Sequence, residues 1–440
     1  MSRRVVITGL GPVGGLGLGI EPTWRALREG QSAVAPVRAF DASAFGCAAA
    51  AEAPDFKIND FVPKSYRQDT KVMARDIELA VVAAELAAKD AGLVTKEGEG
   101  ERTYPSERMA VHVGAGLIAA ELNELTAALA EARDGGGHFD MHKWGREGMT
   151  HLTPLWLLKY LPNMLACHVS IIHAAHGPSN TITCAEASSG LSIGESLRVI
   201  QRGAADAGFC GGSESKLNPM AYLRQIMTGR YNTTDKGDPA KMVRPYCQTA
   251  AGGVVGEGGA IIVLEAVETF ERRKGGGKAY AEVAGFGASQ SVNPAQRNLS
   301  PDPQGKGMAL AIRAALRKAG IDPQKINLVI GFGLGLAESD RAEAAALASV
   351  FGASLAQIPI RSTKSLAGNC GAGAGGLDVC AAVMALREQT IPAAINCDQP
   401  LAGLNAGSSP ARPAKLEYVL TYNQSMGGQN AAVVLKRYDA

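Results

Sequence analysis

Gly177-Pro-Ser-Asn-Thr-Ile-Thr-Cys184-Ala-Glu186-Ala-Ser-Ser-Gly-Leu-Ser-Ile-Gly194 joins a short β-branched run to a run of small residues. Residues 181–184 read as a strand. Outward from it the same texture continues: residues 4–8, 109–113 and 260–264 are further short apolar runs, and longer Ala-rich runs of helical period alternate with them. This is the pattern of an α/β fold with buried strands. The clearest helix spans 69–92, with Asp69 or Thr70 as N-cap, a stripe through Val72, Met73, Ile77, Val81 and Leu86, and Gly92 as the stop.

At 440 residues, 46% of them hydrophobic, the chain can fill two domains or one large duplicated one. Its 44 basic and 42 acidic residues leave a net charge of +2, so no nucleic-acid partner is expected. Met1-Ser-Arg-Arg runs straight into a strand, and no apolar stretch approaches the roughly 20 residues of a membrane span. A cytoplasmic protein without membrane contact is therefore expected. The eight cysteines are scattered without a CxxC pair and read as reduced thiols.

The charged and Gly-rich run at 271–278 is the obvious punctuation, which predicts halves at 1–270 and 278–440. The second repeats the first in outline. Residues 280–287 (YAEVAGFG) resemble residues 5–11 (VVITGLG), and strand–helix alternation follows again through 305–320, 327–333, 338–351 and 358–363. Two duplicated α/β halves are expected.

Gly9-Leu-Gly11-Pro-Val-Gly14 follows a strand and matches a dinucleotide-binding fingerprint. Yet the helix that should open within the motif starts only near Pro22, so close helix–sheet packing is the better reading. Residues 368–376 lack the Gly-Lys-Ser/Thr ending of a phosphate loop. All seven histidines fall between His112 and His176. His138 and His142 lack a matching carboxylate pair, and Cys167, His168, His173 and His176 fit no common zinc spacing. Neither a cofactor nor a metal is expected.

The opening segment resembles the region of the β-ketoacyl carrier-protein synthases (ketosynthases) in which a strand ends in a nucleophile elbow before a buried helix. The block Gly203-Ala-Ala-Asp-Ala-Gly-Phe-Cys-Gly-Gly-Ser-Glu214 fixes the register and puts Glu186 where that family has its cysteine. Further similarities run through Arg244-Pro-Tyr, Gly256-Glu-Gly258, Asp340-Arg-Ala-Glu343, Ile395-Asn396 and Gly427-Gly-Gln-Asn430. The family's N-A-H-G-T-x-T is occupied by Asn-less Ile330-Gly-Phe332-Gly-Leu334-Gly-Leu336, and its K-S-x-x-G-H by Lys364-Ser-Leu-Ala-Gly-Asn369. The resemblance implies a thiolase-like fold, two duplicated α/β halves in a layered αβαβα sandwich. It also implies that Glu186, Phe332 and Asn369 stand where the Cys-His-His triad belongs, with Lys364 beside them. Leu334, Leu336 and Met426 then fill places that line the pantetheine channel.

In that family a thiolate takes the acyl chain and two histidines stabilise the enolate formed from malonyl carrier protein. Losing one oxyanion donor typically costs about 10²–10³ in rate, and here nucleophile and donors are all replaced. A buried Glu186 needs a cation or N–H donors; elbow or C-terminal loop N–H groups and Lys364 are the expected partners, unless Lys364 pairs with Glu343.

The reading that follows is a catalytically degenerate homologue, most like the chain-length factors of type II polyketide synthases, which pair with an active ketosynthase. The alternative is altered acyl chemistry, namely thioester transfer, hydrolysis or malonyl decarboxylation, using Glu186, Cys184 or Cys370. A homodimeric scaffold is a third. The resemblance places a partner against residues 117–132 and 154–164. Lys64, Arg67, Lys71 and Arg75 form the best basic cluster for an acyl carrier protein.

Overall fold

The computed structural model describes residues 3–96, 100–273, 276–293 and 301–438. Lys274 and Gly275, in the middle of the expected boundary run, lie outside them. Ten strands form one path: β1 (Val5–Gly14), β2 (Met109–Gly114), β3 (Ser179–Ile182), β4 (Ala207–Glu214), β5 (Gly258–Ala266), β6 (Ala281–Gln290), β7 (Leu328–Ile330), β8 (Ile360–Arg361), β9 (Tyr418–Gln424) and β10 (Gln429–Arg437). Their spatial order is β3-β2-β4-β5-β1-β6-β10-β9-β7-β8. The second five mirror the first five about the β1–β6 contact, where Val6 faces Glu282 and Ile7 faces Ala281.

Pairing directions mirror as well. β2 runs parallel to β3 and β4, as β7 does to β8 and β9, and β5 and β10 are each antiparallel to both neighbours. Both β1 and β6 carry an irregularity at the matching place, between Ile7 and Gly9 and between Val283 and Gly285.

Five helices make the layers: α1 (Arg75–Ala91), α2 (Ser188–Gln201), α3 (Lys306–Ala319), α4 (Ala337–Phe351) and α5 (Ala374–Glu388). α1 packs on the outer face of β1, β4 and β5, α3 on that of β6 and β10 with α4 against α3, and α2 and α5 fill the space between. The result is the expected αβαβα sandwich. Its core separates into a central cluster around α2 and α5 and two outer clusters, one beneath α1 and one beneath α3. Each fully buried aliphatic side chain there contributes about 1.5–3 kcal/mol.

The glycines of β1 explain themselves in this packing. A Cβ on Gly11 would stand 1.9 Å from the Ala83 carbonyl oxygen of α1, and one on Gly287 of β6 would stand 2.0 Å from that of Ala311 in α3. Gly9–Gly14 is therefore a strand pressed against a helix.

Two local expectations are corrected. Helix α1 begins at Arg75, because Met73 and Ala74 are buried in extended backbone and residues Asp69–Val72 form only a 3₁₀ turn. Gly92 does stop it, in left-handed conformation (φ 64°). Strand β3 ends at Ile182, two residues early, since Cys184 and Ala185 form the turn into α2. Among the described residues no helix is long and apolar enough to cross a membrane.

Candidate functional site

The site lies where the N-terminal ends of α2 and α5 meet. A Cβ on Gly375 would lie 3.1 Å from Ser189 Cβ, so the two helices cross at their first turns. Ahead of α2 the chain turns sharply: Ala185 has φ 44°, and the Cys184 N–H donates to Ser188 Oγ at 2.8 Å. This elbow carries Glu186 inward, where only 3% of it is exposed.

Glu186 Oε1 receives two donors. The Arg230 guanidinium lies 2.8 Å away and Asn369 Nδ2 3.1 Å away. Asn369 Nδ2 also donates to the Tyr231 hydroxyl at 3.2 Å, and its Oδ1 accepts the Gly371 N–H at 3.1 Å. Asn369 is fixed from behind, its backbone N–H donating to Val254 O and its carbonyl accepting from Gly256. Glu186 Oε2 is buried without a hydrogen-bond partner.

Burial is the largest influence on the Glu186 carboxyl and opposes its ionisation, but Arg230, the residue's own N–H and Asn369 outweigh it together. The carboxyl is held below the usual carboxylate range. Arg230 is likewise raised by Glu186 against its own burial. What the knot offers chemically is a charged, paired carboxylate, which is a weak base and no acyl acceptor.

Glu186, Arg230 and Asn369 line a cavity of about 290 Å³ together with Thr183, Gln225 and the ion-paired Glu214 and Lys216. Phe332 does not join it. Its ring is buried and borders a separate slot of about 20 Å³ with Leu336, Arg230 and Met426. Arg230 and Met426 touch both spaces and form the wall between them. Leu334 is fully buried in the outer core beneath α3.

Lys364 is corrected on both expected counts, for it serves neither Glu186 nor Glu343 as ion partner. Its Nζ sits 2.5 Å from Asp378 Oδ2 with both side chains fully buried, and 5.2 Å from the Phe332 ring centroid. Asp378 also accepts from Thr363 Oγ1 (2.6 Å) and Asn423 Nδ2 (2.8 Å). Glu343 feels the Lys364 charge, which works against the effect of burial, without forming an ion pair with it. It accepts from the hydroxyls of Tyr246 (2.7 Å) and Tyr422 (3.0 Å) and from the Gly333 N–H (3.1 Å), while burial pushes its carboxyl up to about 7. Arg230 takes the place given to Lys364, and among the described residues the two donors within hydrogen-bond distance of the Glu186 carboxylate are side chains rather than the expected elbow or C-terminal loop N–H groups.

Neither displaced thiol is activated. Burial raises Cys184, and Cys370, buried ahead of α5, is pushed up to about 12. The inner histidines are hydrogen-bonded structural residues: His112 to Ser196 (2.7 Å), His168 to Tyr66 and His173 to Thr95 (both 2.8 Å). Among the described residues no group of three or more His, Cys, Asp or Glu could hold a metal ion. The basic cluster is smaller than expected. Lys64, Arg67 and Lys71 are exposed, but Arg75 turns to Glu257 (2.9 Å) and lies over the Phe56 ring.

Arg230 is the residue that sequence reasoning missed. It follows the helix Pro219–Met227, held where its carbonyl accepts the Gly253 N–H, and no spacing or repeat distinguishes it from the other cations. The one usable signal was the demand itself, a buried carboxylate requiring a cation.

With this geometry stand the comparisons to known proteins. Residues 2–270 match the β-ketoacyl synthase N-terminal domain and residues 280–398 the β-ketoacyl synthase C-terminal domain, so the chain belongs to the β-ketoacyl synthase family. It is 31% identical over 440 residues to a 3-oxoacyl-[acyl-carrier-protein] synthase 2 of Vibrio cholerae and 28% identical over 439 residues to one of Synechocystis, covering 99% of each chain in both cases. Among solved structures, the ishigamide ketosynthase/chain length factor superposes with a TM-score of 0.83 at 27% identity over the full length of both chains. A β-ketoacyl synthase from Burkholderia phymatum gives the same score and identity, with 99% of this chain and 100% of that one covered.

Proposed function

We propose that this chain is a catalytically silent ketosynthase homologue that acts as the chain-length factor, or equivalent partner subunit, of an active ketosynthase working on acyl carrier protein. The observation that carries the proposal is the Arg230–Glu186–Asn369 knot, a closed ion pair at the elbow position where condensation needs a free nucleophile. Phe332 supplies no donor to a developing oxyanion, and the slot beside it, at about 20 Å³, leaves no room for a pantetheine arm.

Exposed apolar residues support a partner. Leu117 is 63% exposed, Leu155 66%, Leu157 59% and Met227 77%. Leu117 lies at the cavity, its carbonyl bound by Lys216 Nζ, close to the start of the Pro219–Met227 helix. Strand β3 is a sheet edge whose backbone pairs only with β2 among the described residues. Apolar surface beside an unpaired edge favours association. The Lys64, Arg67 and Lys71 face suits an acidic carrier protein.

Altered acyl chemistry is disfavoured by the same site, since Glu186 is held ionised and paired and Cys184 and Cys370 are held as thiols. The test is co-expression with an intact ketosynthase from the same source, followed by purification and a carrier-protein condensation assay. A 1:1 complex whose product length depends on this chain supports the proposal. Turnover by this chain alone overturns it.

A further inference from the structure

One buried cation has no acid beside it. Arg361, on β8, is 4% exposed. Its Nε donates to Pro392 O (2.9 Å), its Nη1 to Ile360 O (2.8 Å) and its Nη2 to Ser409 Oγ (2.9 Å), all of them neutral acceptors. A guanidinium has five N–H groups, so these bonds leave donors over. Elsewhere in the interior cations meet carboxylates: Lys364 meets Asp378, Arg230 meets Glu186 and Lys216 meets Glu214. Among the described residues no carboxylate does this for Arg361. The charge that acts on it is that of Arg412, also positive, and burial first and then Arg412 lower the guanidinium to about 10. A buried charge left uncompensated is costly.

A small cavity lies against it. Its walls include Arg361, Ser362, Ser365, Tyr246, Ala394 and Ile395, none of them acidic, and its volume is about 10 Å³. That is room for one water-sized particle and too little for a phosphate or a carboxylate group. Ser362, Ala394 and Ile395 are half-buried and mark its outer side. The Ser365 hydroxyl, whose contact with Ser362 O is stretched to 3.5 Å, is weakly committed and can turn its proton to an acceptor there.

We infer that this cavity is a monovalent-anion site whose ligand is a halide ion, chloride in the first place, held by the Arg361 guanidinium and the Ser365 hydroxyl. Size and charge select it together. Water fits but offsets no charge, whereas phosphate and carboxylates offset the charge and do not fit. The ion sits where Arg361 already joins three segments, namely β8, the loop at Pro392 and the loop at Ser409, just ahead of the turn that carries Lys364. Its role is structural, and it holds whether or not the chain is catalytically silent.

The test uses the full-length protein, exchanged into sodium gluconate and titrated with sodium chloride or sodium bromide at fixed ionic strength, with urea unfolding as the readout. Both halides are expected to stabilise the fold, shifting the folding equilibrium about tenfold for each tenfold rise in halide once the site is saturated. Crystals soaked in bromide should show an anomalous peak against the Arg361 guanidinium. Arg361→Met should be equally stable in gluconate and in chloride. Equal stability of the wild type in gluconate and in both halides overturns the inference. So does a bromide map without a peak at Arg361, or a halide dependence that persists in Arg361→Met. A bromide peak at Arg361 with no effect in solution marks an adventitious ion only and overturns it too. The wild-type titration and the bromide map decide without the variant.

Discussion

Arg230 and Glu186 approach to 2.8 Å with their side chains 12% and 4% exposed. A buried pair of this kind contributes little net stability when whole, because desolvation offsets attraction, but breaking it strands a charge. Arg230→Met is expected to cost about 3–5 kcal/mol of unfolding free energy, and Arg230→Met with Glu186→Gln to recover most of it. Urea denaturation of the single and double variants measures the coupling. Additive losses would falsify the pairing.

Acid and base act on different carboxyls. The folded-state value of Glu186 is depressed, so its contribution is present above the unfolded value and drains as pH falls through the folded one. Glu343, raised to about 7 by burial, behaves oppositely: its contribution is whole below the unfolded value and is lost as pH rises through about 7. Asp340 is raised too and titrates with it. Relative to wild type, Glu343→Gln should therefore gain stability as pH rises from about 5 to about 8, and Glu186→Gln as pH falls below about 4.5. Unfolding midpoints across pH would show it, and parallel curves would contradict it.

Restoring the reactive groups should not restore the reaction. In Glu186→Cys/Phe332→His/Asn369→His, Leu336 and Met426 still close the slot, and Arg230 has lost its partner. Intact-protein mass spectrometry after incubation with acyl carrier protein is expected to find no acyl-enzyme above background. Loading by the triple variant alone would show the channel to be open.

The exposed apolar face should matter to assembly and hardly to folding. Leu155→Asp and Met227→Asp are expected to leave the melting temperature within about 2 °C, since surface changes are usually within ±0.5 kcal/mol. Both should abolish co-purification with the ketosynthase partner. Unchanged pull-down yields would move the interface elsewhere.

Gly11→Ala and Gly287→Ala should each destabilise the fold by about 1–3 kcal/mol or more, because the added Cβ meets a helix carbonyl at 1.9 and 2.0 Å. Equilibrium unfolding of the two variants tests whether both helix–strand contacts are equally tight.

Those glycines also show why so much of the architecture was legible. Close helix–strand approach leaves a local signature, Gly on the strand opposite Ala on the helix, and it occurs in both halves, as do the apolar periods of α1 and α3. The elbow was legible as a position but not as a shape, because Ala185 adopts φ 44° with nothing in its own chemistry to announce it. Charge pairing was the least legible. Arg230 reaches Glu186 and Lys364 reaches Asp378 through contacts set by how loops and helices dock, and a linear pattern carries no record of which of several cations will be nearest. The N-terminus of α1 failed for a related reason: Met73 and Ala74 are drawn into the core, overriding the capping preference of Asp69 and Thr70.

The mirrored strand order brings the first turns of α2 and α5 to one point on the pseudo-dyad. Both helix ends turn their first N–H groups and positive dipole toward that point, which favours negative and polar groups there. Something negative and something polar must remain to hold the two halves shut, and Glu186 with Asn369 supplies them as a structural keystone.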